Sequence, residues 1–321
     1  MNDYLLTERK LVQAFSNLIK EINSGKFVYT GELEPHKSTD LSDVIAWAKT
    51  LKETGRIVAA NVTDNPGSIV TVNSLVASYV IQKETGLETV YQLRASDRNR
   101  LALTSDLLGA AILGLKNVLA LTGDHTMKGD MIEAMPVFDL DGTQLIDLIH
   151  RMVYEGKDLS GNEVHGLRPQ FNIGAAGNPN FEPIEVEVLK LERKAEAGVE
   201  FIQTQVVFDV NTALEFLDST KHIKIPILIG IFPPRSYGQA EYFDKHISGV
   251  RVPKELLDQF QKMKKISDKK ERRKKINDFN IEYFTDFIKN VRKKPACKGV
   301  HIMAVGYPEV IEPIIKGAEG K

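Results

Sequence analysis

The sequence predicts a closed (β/α)8 barrel with one extra helix at its N-terminal end. Three observations predict it. Eight short, β-rich apolar runs alternate with amphipathic helical segments along the chain. The runs are almost continuously apolar rather than alternating, as suits parallel strands buried on both faces. No Gly-x-Gly-x-x-Gly follows the first run, which counts against the rival open doubly wound sheet. The 321 residues suit one barrel with added helices, a fold of roughly 250 or more residues.

The elements follow in order. An amphipathic stretch, Thr7–Ser24, is expected to form a helix that closes the barrel bottom. Residues 1–25 are therefore read as a helical extension and residues 26–321 as the barrel. The strand runs are Lys26–Leu33, Arg56–Val62, Glu88–Leu93, Asn117–Leu121, Gln170–Gly174, Glu200–Gln205, Pro226–Ile231 and Gly299–Ala304. A helix is expected over Asp40–Thr54, with Asp40 or Ser42 as N-cap and Gly55 as its stop. Others are expected over Asp97–Leu113 and Pro183–Ala197, the last ending on Gly198. The charge run Lys262–Lys275 reads as a solvated helix face, or as a basic patch for an anionic partner. No low-complexity linker divides the chain.

Composition bounds the function. Hydrophobic residues make up 42% of the chain, enough for a large core. The net charge of −1 gives no general attraction to nucleic acid or to a membrane surface. The single cysteine, Cys297, cannot form an internal disulfide or a thiolate-ligated zinc or iron–sulfur site. There is no His-x-His or His-Glu-x-x-His spacing, so no metal site is expected. Without a signal-like N-terminus or a membrane-length apolar run, a cytoplasmic protein is expected.

In a (β/α)8 barrel, functional groups gather where strands end and the following loops begin. Glu32 sits inside an otherwise apolar first strand. A carboxyl in an apolar setting tends to keep its proton and can serve as a general acid, or it can be a structural carboxylate bonded to a neighbouring loop. Glu34 faces the same way and is the lesser candidate. Asp124 follows Gly123 at the end of the fourth strand, where glycine would let the backbone approach a ligand. It can equally be a turn or N-cap aspartate. Gln203 and Gln205 share one face of the sixth strand and need bonding partners, which a bound heterocycle could supply. His36, His125 and His165 read as solvated loop histidines, and Lys194 as a helix-surface lysine able to reach a phosphate.

Taken together, these residues resemble the methylenetetrahydrofolate reductase family from about Lys26 to Tyr307. Val28-Tyr29-Thr30-Gly31-Glu32-Leu33-Glu34-Pro35 is similar to the family's Phe-Glu-Phe-Phe-Pro-Pro. Ala120-Leu121-Thr122-Gly123-Asp124 resembles Ala-Leu-Arg-Gly-Asp, and Thr204-Gln205-Val206-Val207-Phe208-Asp209 resembles Thr-Gln-Phe-Phe-Phe-Asp. Gly230-Ile231-Phe232-Pro233, followed by Gln239-Ala240 and Phe243, is similar to the seventh-strand region. The resemblance implies Glu32 as general acid and Asp124 as a catalytic charge beside flavin and pterin. It implies Gln205, Gln239 and Phe243 as substrate contacts, and Thr63, Gln92, Gly123, Asp124 and Lys194 as cofactor contacts. The implied cofactor is a flavin, FAD ahead of FMN.

The departures matter too. Thr122 stands where the family has an arginine, Gln92 where it has a histidine, Ala176-Gly177 for Ala-Tyr, and Tyr307 for an arginine. These leave the flavin tail and the electron donor open. Pro136–Asp141 resembles reductases of anaerobic one-carbon pathways, which can work with an iron–sulfur partner subunit. The implied partners are thus a methylene-pterin and either NAD(P)H or a ferredoxin-like electron carrier, in a homo- or hetero-oligomer. The implied reaction is hydride transfer that turns 5,10-methylenetetrahydrofolate into the 5-methyl form, or the reverse. Methylene-tetrahydromethanopterin as substrate, a flavin-free pterin-binding methyltransferase barrel and a non-catalytic scaffold subunit remain open beside it.

Overall fold

The structure is a computed structural model, and it describes residues 12–247 and 249–320. Eight parallel strands close into one barrel in chain order. They are β1 (Val28–Leu33), β2 (Ile57–Val62), β3 (Glu88–Arg94), β4 (Asn117–Leu121), β5 (Asn172–Gly177), β6 (Phe201–Val206), β7 (Ile227–Ile231) and β8 (Cys297–Ile302). The barrel closes where β1 pairs with β8, Val28 opposite Gly299 and Thr30 opposite His301.

The helices are α1 (Asn17–Asn23), α2 (Ser42–Glu53), α3 (Ser74–Thr85), α4 (Arg100–Ile112), α5 (Gly142–His150), α6 (Ile184–Glu196), α7 (Val210–Thr220), α8 (Tyr237–His246), α9 (Lys254–Lys264), α10 (Lys269–Val291) and α11 (Pro308–Glu319). No helix among the described residues is long and apolar enough to cross a membrane.

Successive strand residues alternate between the barrel interior and the surrounding helices. The lowest interior tier is apolar: Val28, Ala59, Val90, Leu119, Phe201 and Leu228. Gly174 has no side chain because a Cβ there would lie 2.4 Å from Phe201 Cζ. Below this tier lies α1, which buries Leu18, Ile19 and Ile22 against it. Each such side chain stabilises the fold by about 1.5–3 kcal/mol. Two residues further along each strand, the interior becomes polar at Thr30, Asn61, Gln203 and His301.

Several boundaries differ from expectation. Among the described residues the bottom helix is Asn17–Asn23, preceded by irregular backbone over residues 12–15; the expected stretch from Thr7 to residue 11 lies outside the described residues. Ser16 Oγ accepts from Ile19 N at 3.1 Å, and the Glu88 carboxylate accepts from Asn17 N and Leu18 N at 2.7 and 3.0 Å. Asn172 Oδ1 meanwhile holds the Phe15 and Ser16 amides in extended backbone, at 2.9 and 3.0 Å. These bonds fix the helix start at residue 17.

The fourth helix starts at Arg100 rather than Asp97, because Asn99 caps it by accepting from Ala102 N at 3.0 Å. Asp40 and Ser42 do not cap α2 in the expected way. Leu41 occupies the cap position, while Asp40 Oδ1 binds the Ser42 amide and hydroxyl. The charge run Lys262–Lys275 is not one helix either. It breaks after Lys264, and Asp268 caps α10 by accepting from Glu271 N at 2.7 Å. Its lysines and arginines are mostly exposed, as a solvated face requires.

Candidate active site at the barrel mouth

The polar tier of the barrel is a connected hydrogen-bond chain. Asn61 and Gln203 exchange amide bonds, Asn61 Nδ2 to Gln203 Oε1 at 2.8 Å and Gln203 Nε2 to Asn61 Oδ1 at 3.0 Å. Gln203 Nε2 also donates to Thr30 Oγ1 at 3.2 Å. Thr30 Oγ1 lies 3.0 Å from His301 Nδ1, and His301 Nε2 lies 3.3 Å from Glu32 Oε2. Thr30, Asn61, Gln203 and His301 are all buried, whereas Glu32 opens to the mouth with its side chain 12% exposed. The setting of Glu32 is thus polar, not the apolar one that its strand suggested. The backbone beneath it is fixed as well: the Trp47 indole N–H of α2 donates to the Glu32 carbonyl at 3.0 Å.

Glu34 continues the same face of the chain beyond β1. Its side chain is exposed at the mouth, although surrounding protein displaces part of its hydration. That desolvation, with the neighbouring Glu32 charge, pushes its carboxyl up to about 7 against the opposing pull of Arg235. Glu34 thus feels both the Glu32 carboxylate and the Arg235 guanidinium.

The other candidate residues are distributed around the same rim. Thr63 follows β2, and its buried Oγ1 has no hydrogen-bond partner. Gln92 and Gln205 lie near the ends of β3 and β6, both partly accessible. Gln205 turns its Oε1 back onto the Val206 amide at 2.8 Å. Gln203, by contrast, is committed to the interior chain and needs no ligand to satisfy it. On α8, Phe243 packs on Phe232 with ring centroids 4.1 Å apart, and Gln239 Oε1 accepts from Arg235 N at 2.8 Å. Lys194 Nζ reaches from α6 to the Ala176 carbonyl at 2.6 Å. Burial holds this ammonium below the usual lysine value; the Glu187 carboxylate opposes that shift and Lys190 reinforces it.

Asp124 lies on the β4–α5 loop. Its carboxylate is half-exposed and pairs with Lys128 Nζ at 3.3 Å. Gly123 has a packing reason of its own. It adopts φ +87°, and a Cβ would meet Ser96 Oγ at 2.4 Å, so a neighbouring loop and not a ligand fills that space. Two of the departures also find partners. Thr122 Oγ1 accepts from Gly142 N at 2.9 Å and so anchors the start of α5. Tyr307 is buried against α10, its hydroxyl donating to Asn277 Oδ1 at 2.5 Å.

A cavity of about 490 Å³ lies off the barrel axis, lined by residues that include Asn180, Glu182, Asp209, Asp244 and Arg251. None of the rim residues named above lines it, so cavity size and chemistry point to different places. The convergence of Glu32, Glu34, Thr63 and Gln205 on one rim is the better guide, because catalysis needs placed polar groups rather than volume alone.

The sequence profile of the methylenetetrahydrofolate reductase family matches residues 17–319. The chain belongs to that family. Its relatives include methylenetetrahydrofolate reductase 1 of Schizosaccharomyces pombe, 27% identical over 73% of this chain and 37% of that protein. The 5,10-methylenetetrahydrofolate reductase of Pectobacterium carotovorum is 24% identical over 77% of each chain. A probable methylenetetrahydrofolate reductase (NADPH) of Caenorhabditis elegans is 23% identical over 77% of this chain and 34% of its own. The chain thus spans about a third of the length of the yeast and nematode relatives. Among solved structures, a protein from Clostridium thermocellum described as binding two copies of 5-methyl-5,6,7,8-tetrahydrofolic acid superposes with TM-score 0.64 at 15% identity, covering 95% of this chain and 98% of its own. That likeness shows the shared fold.

Within this member of the methylenetetrahydrofolate reductase family, sequence reading missed Thr30, Asn61 and His301 as site-supporting residues. A signal existed. Each is a polar residue inside an apolar strand, and Thr30 and His301 lie opposite each other where the barrel closes.

Proposed function

We propose that this chain is a flavin-dependent oxidoreductase that reduces 5,10-methylenetetrahydrofolate to the 5-methyl form. Family membership over residues 17–319 supports the reaction class, and Glu32 at the end of β1 is the observation that carries the chemistry. A flavin held here would supply the hydride chemistry at the methylene carbon. The residues present suit such a cofactor. Thr63 Oγ1 is a buried hydroxyl still lacking a partner. Lys194 has one carbonyl partner for its three N–H donors, leaving capacity for a phosphate oxygen. Gln92 offers an uncharged amide at the same rim.

The chain's own groups act as follows. Glu32, protonated, gives its proton to N10 of the pterin as the five-membered ring opens, and the ring C–N electron pair becomes the new N–H bond. Asp124, ionised, faces the cation that develops on the substrate. The Gln205 amide orients the pterin ring, and Gln239 with the Phe243 ring holds its far side. The single cysteine, Cys297, is buried and cannot ligate an iron–sulfur cluster alone, so electrons would come from a donor outside this chain.

Purified protein is expected to be yellow, with flavin absorbance near ~450 nm because the cofactor carries the redox chemistry. After chemical reduction under anaerobic conditions, addition of 5,10-methylenetetrahydrofolate should reoxidise the flavin and yield one 5-methyl product per site. Colourless protein that gains no flavin on reconstitution would refute the proposal. Retained flavin that no methylene-pterin reoxidises would refute the substrate.

A further inference from the structure

The interior chain from Asn61 to Glu32 has a direction, and the direction follows from counting hydrogens. The Gln203 amide nitrogen carries two, and both are placed, one on Asn61 Oδ1 and one on Thr30 Oγ1. Thr30 Oγ1 thus accepts from Gln203 and still has one hydrogen of its own to donate. Its remaining neighbour is His301 Nδ1 at 3.0 Å. If Nδ1 carried a hydrogen, the buried Thr30 hydroxyl hydrogen would have no acceptor, and an unsatisfied buried donor is costly. Nδ1 is therefore the acceptor. In a neutral ring the hydrogen then sits on Nε2, which lies 3.3 Å from Glu32 Oε2.

We propose that His301 is a positioning residue for Glu32, locked by Asn61, Gln203 and Thr30 as the tautomer that donates from Nε2 to the Glu32 carboxylate oxygen. The inference rests on the functional reading above, in which Glu32 delivers a proton. A donor aimed at Oε2 matches the carboxylate left behind once that proton has moved, so it favours the transition state over the ground state. It also ties down one oxygen of the carboxyl and leaves the other out of this bond. Stability alone does not call for such an arrangement. Four buried polar side chains in a barrel interior contribute little net stability compared with a well-packed apolar tier. What they provide is one hydrogen-bond polarity, ending on the Glu32 carboxylate, which opens to the mouth.

Two experiments separate this inference from the functional reading. The first needs no activity. In wild-type protein carrying imidazole-15N histidine, with His301 assigned by its loss in His301→Gln, Nδ1 should give a pyridine-type signal and Nε2 a pyrrole-type signal at neutral pH. Thr30→Val should weaken that preference. A hydrogen on Nδ1, or a protonated ring, would overturn the proposal whether or not the protein reduces a pterin.

The second uses flavin-loaded enzyme. Loss of a hydrogen bond to a charged group predicts that His301→Asn, which keeps the Thr30 contact but withdraws the donor, lowers kcat for the methylene-pterin about 10- to 100-fold. KM should move far less, and His301→Gln, which retains a donor near the Nε2 position, should recover most of the loss. If wild type is active and His301→Asn stays within about threefold of it, the positioning role is wrong while the functional reading stands. If wild type itself fails with every methylene-pterin, the functional reading falls, and the tautomer remains decided by the first experiment.

Discussion

The Ser68 hydroxyl donates to the backbone carbonyl of Asp124 across 2.9 Å, tying the loop after β2 to the loop after β4. Ser68 Oγ in turn accepts from Arg94 Nη1 at 3.1 Å. Arg94 pairs with Asp97 at 2.7 Å, and Arg98 pairs with the buried Asp64 at 2.7 Å. Asp124 is thus placed by a mostly buried ion-pair network, although its own carboxylate is half-exposed beside Lys128. Such a network holds geometry firmly, whatever its net worth in stability.

If Asp124 stands beside the flavin, Asp124→Asn should raise the flavin midpoint potential, because removing a negative charge favours the electron-rich reduced form. One charge at close range is worth about 1–4 kcal/mol, and ~30 mV of two-electron potential corresponds to about 1.4 kcal/mol, so a rise of some tens of millivolts is expected. Reoxidation by the methylene-pterin should slow at the same time. Spectroelectrochemical titration of both proteins decides it: an unchanged or lower potential would remove Asp124 from the flavin's vicinity.

Glu32→Gln should keep the flavin and lose pterin reduction by about 10²–10⁴-fold, the usual contribution of a general acid. The substitution is conservative here, since the new amide oxygen can still accept from His301 Nε2. Single-turnover reoxidation of the reduced protein by methylenetetrahydrofolate is the measurement. A rate within about threefold of wild type would exclude Glu32 as the acid.

Glu34 gives a pH signature. Its carboxyl is raised from 4.5 to about 7 by desolvation and by Glu32, with Arg235 opposing. A group that holds its proton more tightly when folded adds stability that is complete below its unfolded value and is lost as pH rises through its folded one. Glu34→Gln lacks that loss. The variant should therefore gain on wild type between about pH 4.5 and pH 7 and keep a constant lead above, by about a degree or two in Tm because water at the mouth screens the charge. Thermal melts of both proteins from pH 4 to 8 test this, and a pH-independent difference would contradict it.

The eight strands were legible because parallel strands covered on both faces have no polar side to show, and continuous apolar runs announce them. Their ends shifted by up to three residues where side chains took over from the ladder, as at Asn172, which starts β5 while its amide pins residues 13–16. Glu32 stood out because it is a carboxyl inside an apolar run. Its support could not. His301 and Glu32 lie 269 positions apart, and Gln203 and Thr30 lie 173 apart. Only closure of the barrel makes them neighbours, and nothing in a linear reading says which polar interior residues will satisfy one another. Asp124 was legible as a loop-end aspartate, but the network that positions it joins three loops through backbone carbonyls, which carry no sequence signature.

The electron donor is the last expectation. With no second thiol beside Cys297, the chain offers no cluster relay of its own. Thr122, which stands where the family has an arginine, spends its hydroxyl on the Gly142 amide and offers no charge to a flavin tail or a nicotinamide phosphate. The loop beyond it exposes apolar side chains, Met127 at 73% and Met135 at 83%, beside the rim that Asp124 occupies. Exposed apolar surface of this kind is more typical of contacts with proteins than with small charged donors. The isolated chain is therefore expected to oxidise NADH slowly or not at all and to turn over with reduced ferredoxin or a cluster-bearing subunit. Stopped-flow flavin reduction with each donor in turn is the check. Reduction by NADH alone at about 10 s⁻¹, an ordinary enzyme turnover rate, would show instead that a nicotinamide docks directly in the pterin's place and that no partner is needed.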